Sequence, residues 1–254
     1  MFGDASGIWH EDKHMLEFSL EGYSELLSTF KDRGYLFCRF AKIDSCLASE
    51  QPFVILRHDI DISLRPALEI ARLEYEHKVQ ATYFVWLSSP FYNLLNRLNA
   101  EIVHQIHAYG HQIALHVDLA SYHGNCAEAL QEIAILSKFY PYIDTRIASL
   151  HSPGDLNQIP IAAYRPLYNV YGHALKGDVA YISDSAGRWL YTHPLASEAF
   201  SSGKPIQLLT HPIWWFQDGE SARKKLELWL HNDYMHTYAI AKEFLPKLFR
   251  LSER

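Results

Sequence analysis

Two hydrophobic periods take turns along this chain. Short, largely apolar runs at residues 35–40, 53–56, 81–87, 111–116, 146–150, 179–183 and 206–210 have the length and composition of buried strands. Between them the spacing turns helical. Tyr23, Leu26, Leu27 and Phe30 share one face, and Gly34 ends that helix. Ser63 and Pro66 open a helix carrying Leu68, Ile70, Ala71 and Leu73. Residues 93–109 form another that stops at Gly110, and residues 126–140 a third that stops at Pro141. Residues 219–254 read as C-terminal helices, with Leu226, Leu228, Trp229 and Leu230 as buried positions. Pro, Gly, Asn and Tyr crowd residues 154–177, which reads as a long ordered loop. Strands alternating with helices indicate an α/β fold with a largely parallel sheet.

Composition narrows the function. The 254 residues suit one large catalytic domain, with residues 15–50 and 219–254 as extensions. A net charge of -6 argues against a broad nucleic-acid-binding face. No apolar run reaches the length of a membrane span. The first residues lack the basic and apolar regions of a leader, so the expected compartment is the cytoplasm. Cys38, Cys46 and Cys126 are few, odd in number and widely spaced, which points to neither a disulfide framework nor a thiolate zinc site.

Titratable residues follow directly after five of the apolar strands: Asp59 and Asp61, then His116, His151, Asp184 and His211. In parallel α/β proteins the carboxyl ends of the strands share one face, where active sites sit. A single histidine there is more often a satisfied core or loop residue; the set favours function. Asp59 and Asp61 are two apart, so on an extended segment both side chains point the same way. A cation beside them relieves their repulsion. One carboxylate with histidines suits zinc or a similar divalent metal. Asp59 can then take a proton from an activated water, and His211 can give one to a leaving amine.

At this point the chain resembles the polysaccharide deacetylases, the NodB-homology family (carbohydrate esterase family 4). Arg57-His58-Asp59-Ile60-Asp61 resembles the first motif, in which the first Asp is the base and the second a metal ligand. Residues 110–116, ending in His116, resemble the second motif, whose strand ends in a metal-binding His. His151-Ser152-Pro153-Gly154 stands where the family carries Arg-x-Pro, and residues 182–189 resemble the Asp/Trp motif that shapes the pocket. Residues 208–212 resemble the last motif, whose His is the general acid. The ordered series covers roughly Phe53 to Trp215 and is most similar to the divergent branch found in surface-polysaccharide and O-antigen biosynthesis clusters. The resemblance implies a distorted parallel (β/α) barrel of about seven strands. It implies Asp59, His211 and Asp184 as catalytic residues and Asp61 and His116 as ligands of a divalent metal, zinc by preference. Arg57, Trp189 and Trp214 are the candidates for binding substrate.

The chain departs from the family at one place. The second motif usually ends His-x-x-x-His, and here Ala120 stands four residues after His116. His151, His123 and Asp118 are the candidates for the third ligand, with His151 preferred because an apolar strand carries it to the same rim. The leading expectation is hydrolysis of an N-acetyl or similar amide on a small carbohydrate or nucleotide sugar. Two others stand beside it: an inactive sugar-binding member of the fold, and a hydrolase of another C–N bond.

Overall fold

The computed structural model describes residues 18–154, 158–159 and 165–250, and seven parallel strands form its sheet. These are β1 (Leu36–Cys38), β2 (Phe53–Ile60), β3 (Thr82–Trp86), β4 (Gln112–Val117), β5 (Asp144–Leu150), β6 (Ala180–Ser183) and β7 (Ile206–Thr210). The order is β5-β4-β3-β2-β7-β6. Strand β1 pairs with Phe53 to Ile55 and β3 with Arg57 to Ile60, so the two divide one edge of β2, while β7 takes the other. All eight residues of β2 are buried as a result. Among the described residues no ladder joins β5 to β6.

Helices α1 (Leu20–Asp32), α2 (Ile43–Leu47), α3 (Leu64–Glu76), α4 (Arg97–Ala108), α5 (Cys126–Ala129) and α6 (Gln131–Phe139) accompany the first five strands. Helix α4 starts later than its apolar pattern indicates, because the Asn96 side chain caps it by accepting from the Leu98 amide. The single helix expected over residues 126–140 is divided in two at Leu130.

The expected loop at 154–177 is helical over residues 165–176. Helix α7 (Arg165–Leu167) runs through a π-helical turn (Tyr168–Gly172) into α8 (His173–Lys176). This run packs on the free edge of β5 through Tyr171, whose hydroxyl accepts from the Leu150 amide at 2.7 Å. Aromatic residues there signalled packing, and the Pro and Gly content obscured it.

After α9 (Glu198–Ser202) and α10 (Pro212–Phe216), the long α11 (Ala222–Phe244) and α12 (Pro246–Arg250) end the described chain. Of the four positions expected to be buried there, Trp229 is, Leu226 is half-buried, and Leu228 and Leu230 are exposed. No described helix is long and apolar enough to cross a membrane. Cys38 and Cys46 form a disulfide that their number and spacing did not suggest; the turn from β1 into α2 brings them together. That bond lends no support to the reducing compartment expected from the sequence.

Between β2 and α3 the outer face of the sheet holds a buried carboxylate. Glu74 accepts from Tyr23 Oη (2.6 Å), His58 Nε2 (2.7 Å) and Tyr83 Oη (2.7 Å). Burial pushes the Glu74 carboxyl up, and the charge and hydrogen bond of His58 outweigh it, holding the carboxyl below its usual range. His111 lies 3.5 Å from Glu74 but is not its cation. Its Nε2 donates to the Ala71 carbonyl and its Nδ1 accepts from the Ala81 amide, which leaves a neutral ring. Glu74→Ala leaves three buried donors unpaired and is expected to cost about 3–5 kcal/mol in a denaturant titration. Glu74→Gln, which keeps two of the acceptor sites, is expected to cost less.

Candidate metal centre

Alternate residues of a strand face opposite sides. His58 faces Glu74 on the outer side of β2, so Arg57, Asp59 and, just past the strand, Asp61 face inward. In-register partners bring Trp86 of β3 level with His116 of β4, and His116 level with Ser149 of β5. Arg57, Asp59, Asp61 and His116 line a cavity of about 760 Å³ at the carboxyl ends of the strands. Leu150, Tyr171, Tyr181, Leu190, Tyr191 and Leu209 form much of its apolar wall.

Asp61, His116 and His151 converge in this cavity, with ligand atoms all within 4.8 Å of one another, an arrangement that can hold a metal ion. Asp61 Oδ1 is 3.0 Å from His116 Nε2 and 3.3 Å from His151 Nδ1. Donors around a tetrahedral ion with bonds of 2.0–2.1 Å lie about 3.4 Å apart, so this spacing fits zinc. His116 Nε2 is buried and makes no hydrogen bond despite its nearness to the carboxylate. That geometry belongs to atoms converging on a common point.

After His151 the chain turns sharply. Ser152 sits at φ 43°, a left-handed conformation costing about 1–3 kcal/mol in a non-glycine residue. The Trp86 ring stacks on His151 (4.7 Å, 26°) and meets His116 edge-on (5.8 Å, 84°), holding both rings in place.

Asp59 lies behind this cluster. Arg57 grips it through Nε–Oδ1 (2.9 Å) and Nη2–Oδ2 (2.7 Å), and Ser149 Oγ donates to Oδ2 at 2.8 Å. Burial raises the Asp59 carboxyl, and the Arg57 charge more than reverses this, lowering it below its ordinary value. Arg57 was expected to bind substrate. It does line the cavity, but its Nε and Nη2 are engaged by Asp59, Ser149 and Tyr171.

On the other side His211 Nε2 lies 3.7 Å from Asp61 Oδ2. Its Nδ1 bonds Asp184 Oδ1 at 2.6 Å, and its backbone amide donates to the same carboxylate. Asp184 also accepts from Trp215 Nε1 at 2.8 Å and is fully buried outside the cavity wall, so it positions His211. Burial lowers the His211 imidazolium, and Asp184 overrides this, bringing it up to about 9.

Several expected residues stand elsewhere. Trp189 packs with Phe18 and Trp215, and Trp214 hands its carbonyl to Lys225; neither lines the cavity. Asp118 caps the short turn that follows β4 by accepting from the Ala120 amide, and His123 is exposed in a left-handed turn. Sequence reasoning missed Trp86 and Ser149. The available signal was their place on inward-facing positions, Ser149 two residues before His151 and Trp86 at the end of the strand beside His116.

Zinc titration of the metal-free protein tests this geometry. Asp61→Ala, His116→Ala and His151→Ala are each expected to lose more than the roughly 10–100-fold typical of outer partners, and Asp118→Ala and His123→Ala essentially nothing. Comparison with family models, with curated proteins and with solved structures finds no match for this chain.

Proposed function

We propose that this chain is a metal-dependent amidohydrolase of the polysaccharide-deacetylase type, built on a distorted (β/α) barrel of the NodB-homology kind. It removes an N-acyl group, N-acetyl foremost, from an amino sugar or sugar-containing intermediate of surface-polysaccharide biosynthesis. One observation carries the reading: a zinc-compatible cluster flanked in a single cavity by a tethered carboxylate and a carboxylate-backed imidazolium. The order of the sequence motifs agrees with it.

Asp61, His116 and His151 would hold a divalent ion, which would supply Lewis-acid polarisation of the amide carbonyl and acidify bound water. Asp59 accepts a proton from the attacking water. Its Oδ1 bonds only the Nε of Arg57, so one lone pair stays available. The charge of Arg57 holds Asp59 below its ordinary range, so the carboxylate is ionised and free to accept that proton. The water oxygen adds to the carbonyl carbon, the C–N bond breaks, and His211 Nε2–H gives its proton to the departing amine. Arg57 supplies Asp59 with the guanidinium partner that the third motif, with His151 in place of Arg, does not offer.

Three outcomes test this. Chelator-stripped protein is expected to lose turnover of N-acetylated amino sugars and to recover it with zinc; full turnover without metal rejects the mechanism. Asp59→Asn is expected to retain zinc and lose on the order of a hundredfold or more in kcat. His211 is raised, so its acidic form persists through neutral pH and is lost as pH rises through about 9. A neighbouring cation repels the imidazolium, which places the alkaline limb of the rate profile at or below about 9. That limb is expected to vanish in His211→Ala; an unchanged limb assigns the acid elsewhere.

A further inference from the structure

Ser149 is fully buried at the meeting point of three functional groups. Its Oγ is hydrogen-bonded to Arg57 Nη2, lies 2.8 Å from Asp59 Oδ2, and lies 3.0 Å from His116 Nδ1. A hydroxyl has one proton and two lone pairs, which makes the protons around it countable. Arginine can only donate, so one lone pair belongs to Arg57. Asp59 is ionised against Arg57 and can only accept, so the hydroxyl proton belongs to Asp59. The remaining lone pair faces His116, and only a proton on Nδ1 completes the contact. In the neutral ring Nε2 then carries the lone pair, and Nε2 is the buried atom that lacks a hydrogen-bond partner beside Asp61 and His151.

We infer that Ser149 is a positioning residue that holds His116 in its metal-binding tautomer while orienting Asp59, so that a single hydroxyl aligns the ion's ligand with the base. The inference deepens the metal-dependent reading and rests on it. Ligand imidazoles generally owe their tautomer to a partner on the far nitrogen, most often a carboxylate, a carbonyl or water. Here the partner is a hydroxyl shared with the base, two residues before the ligand His151 on the same strand face.

The test is nitrogen-15 NMR of the His116 ring in full-length protein with zinc added, together with zinc affinity by titration. In the wild type Nδ1 is expected to carry the proton and Nε2 to be bare. Ser149→Ala is expected to weaken zinc binding roughly 10–100-fold and to lose the protected Nδ1 proton. Ser149→Thr, which keeps the hydroxyl, is expected to restore the Nδ1 proton. A bare Nδ1 in the zinc-loaded wild type overturns the inference. So do unchanged affinity and an unchanged Nδ1 proton in Ser149→Ala, even if its melting temperature falls, since that fall alone describes a packing role. Failure of the wild type to bind zinc overturns the metal reading itself, and with it this inference; tight zinc binding with the wrong tautomer overturns only the role of Ser149.

Discussion

The inward-facing side chains of the metal centre owe their place to the register of the parallel ladders that join β2, β3, β4 and β5. His116 is level with Trp86 on one neighbouring strand and with Ser149 on the other, and residues level in a parallel ladder face the same side. A slip of one residue in β4 or β5 sends His116 or Ser149 to the outer face. Strand β2, among these ladders, is enclosed along both edges and buried over its whole length. The site is therefore anchored on rigid strands, with Asp61, His151 and His211 placed just past their ends.

Strand alternation also divides the buried charges into two circuits. His58 and Asp59 are consecutive, yet one belongs to Glu74 on the outer side and the other to Arg57 on the inner side. Each carboxylate is held ionised by a cationic or polarised partner and by neutral donors, which is what a charge removed from water requires. The outer circuit ties α1, β2, α3 and β3 together through Tyr23, His58, Glu74 and Tyr83. The inner circuit orients a carboxylate next to a cluster of ion-binding donors. The same strand thus carries a stability network and a chemical one, back to back.

The disposition of His211 follows a similar logic. Asp184 receives the ring, the backbone amide of His211 and the indole of Trp215, so the imidazole is tied through Nδ1 to a carboxylate that two further donors hold in place. Trp189 and Trp215 pack behind this arrangement with Phe18, which explains why aromatic residues in those segments serve packing and leave the cavity wall to Tyr171, Tyr181 and Tyr191.

The sequence by itself determined the alternation of strands and helices, the seven apolar runs, and the residues that end them. Those are local properties: a largely apolar run followed by Asp or His needs no partner to be recognised. It also singled out Asp61, His116 and His151, because the end of each strand lies close to the end of its run. Only the tertiary structure decided what those residues face. That Ser149 and Tyr171 close around the Arg57–Asp59 pair, that Asp184 stands behind His211, and that Trp189 and Trp214 lie outside the cavity all depend on contacts between segments far apart in the chain. Ser149 and Trp86 were illegible for the same reason. A serine or a tryptophan in an apolar run carries no mark of chemistry until the ladder register sets it against a histidine some thirty residues away, and register is a property of paired strands, which one strand's sequence does not contain.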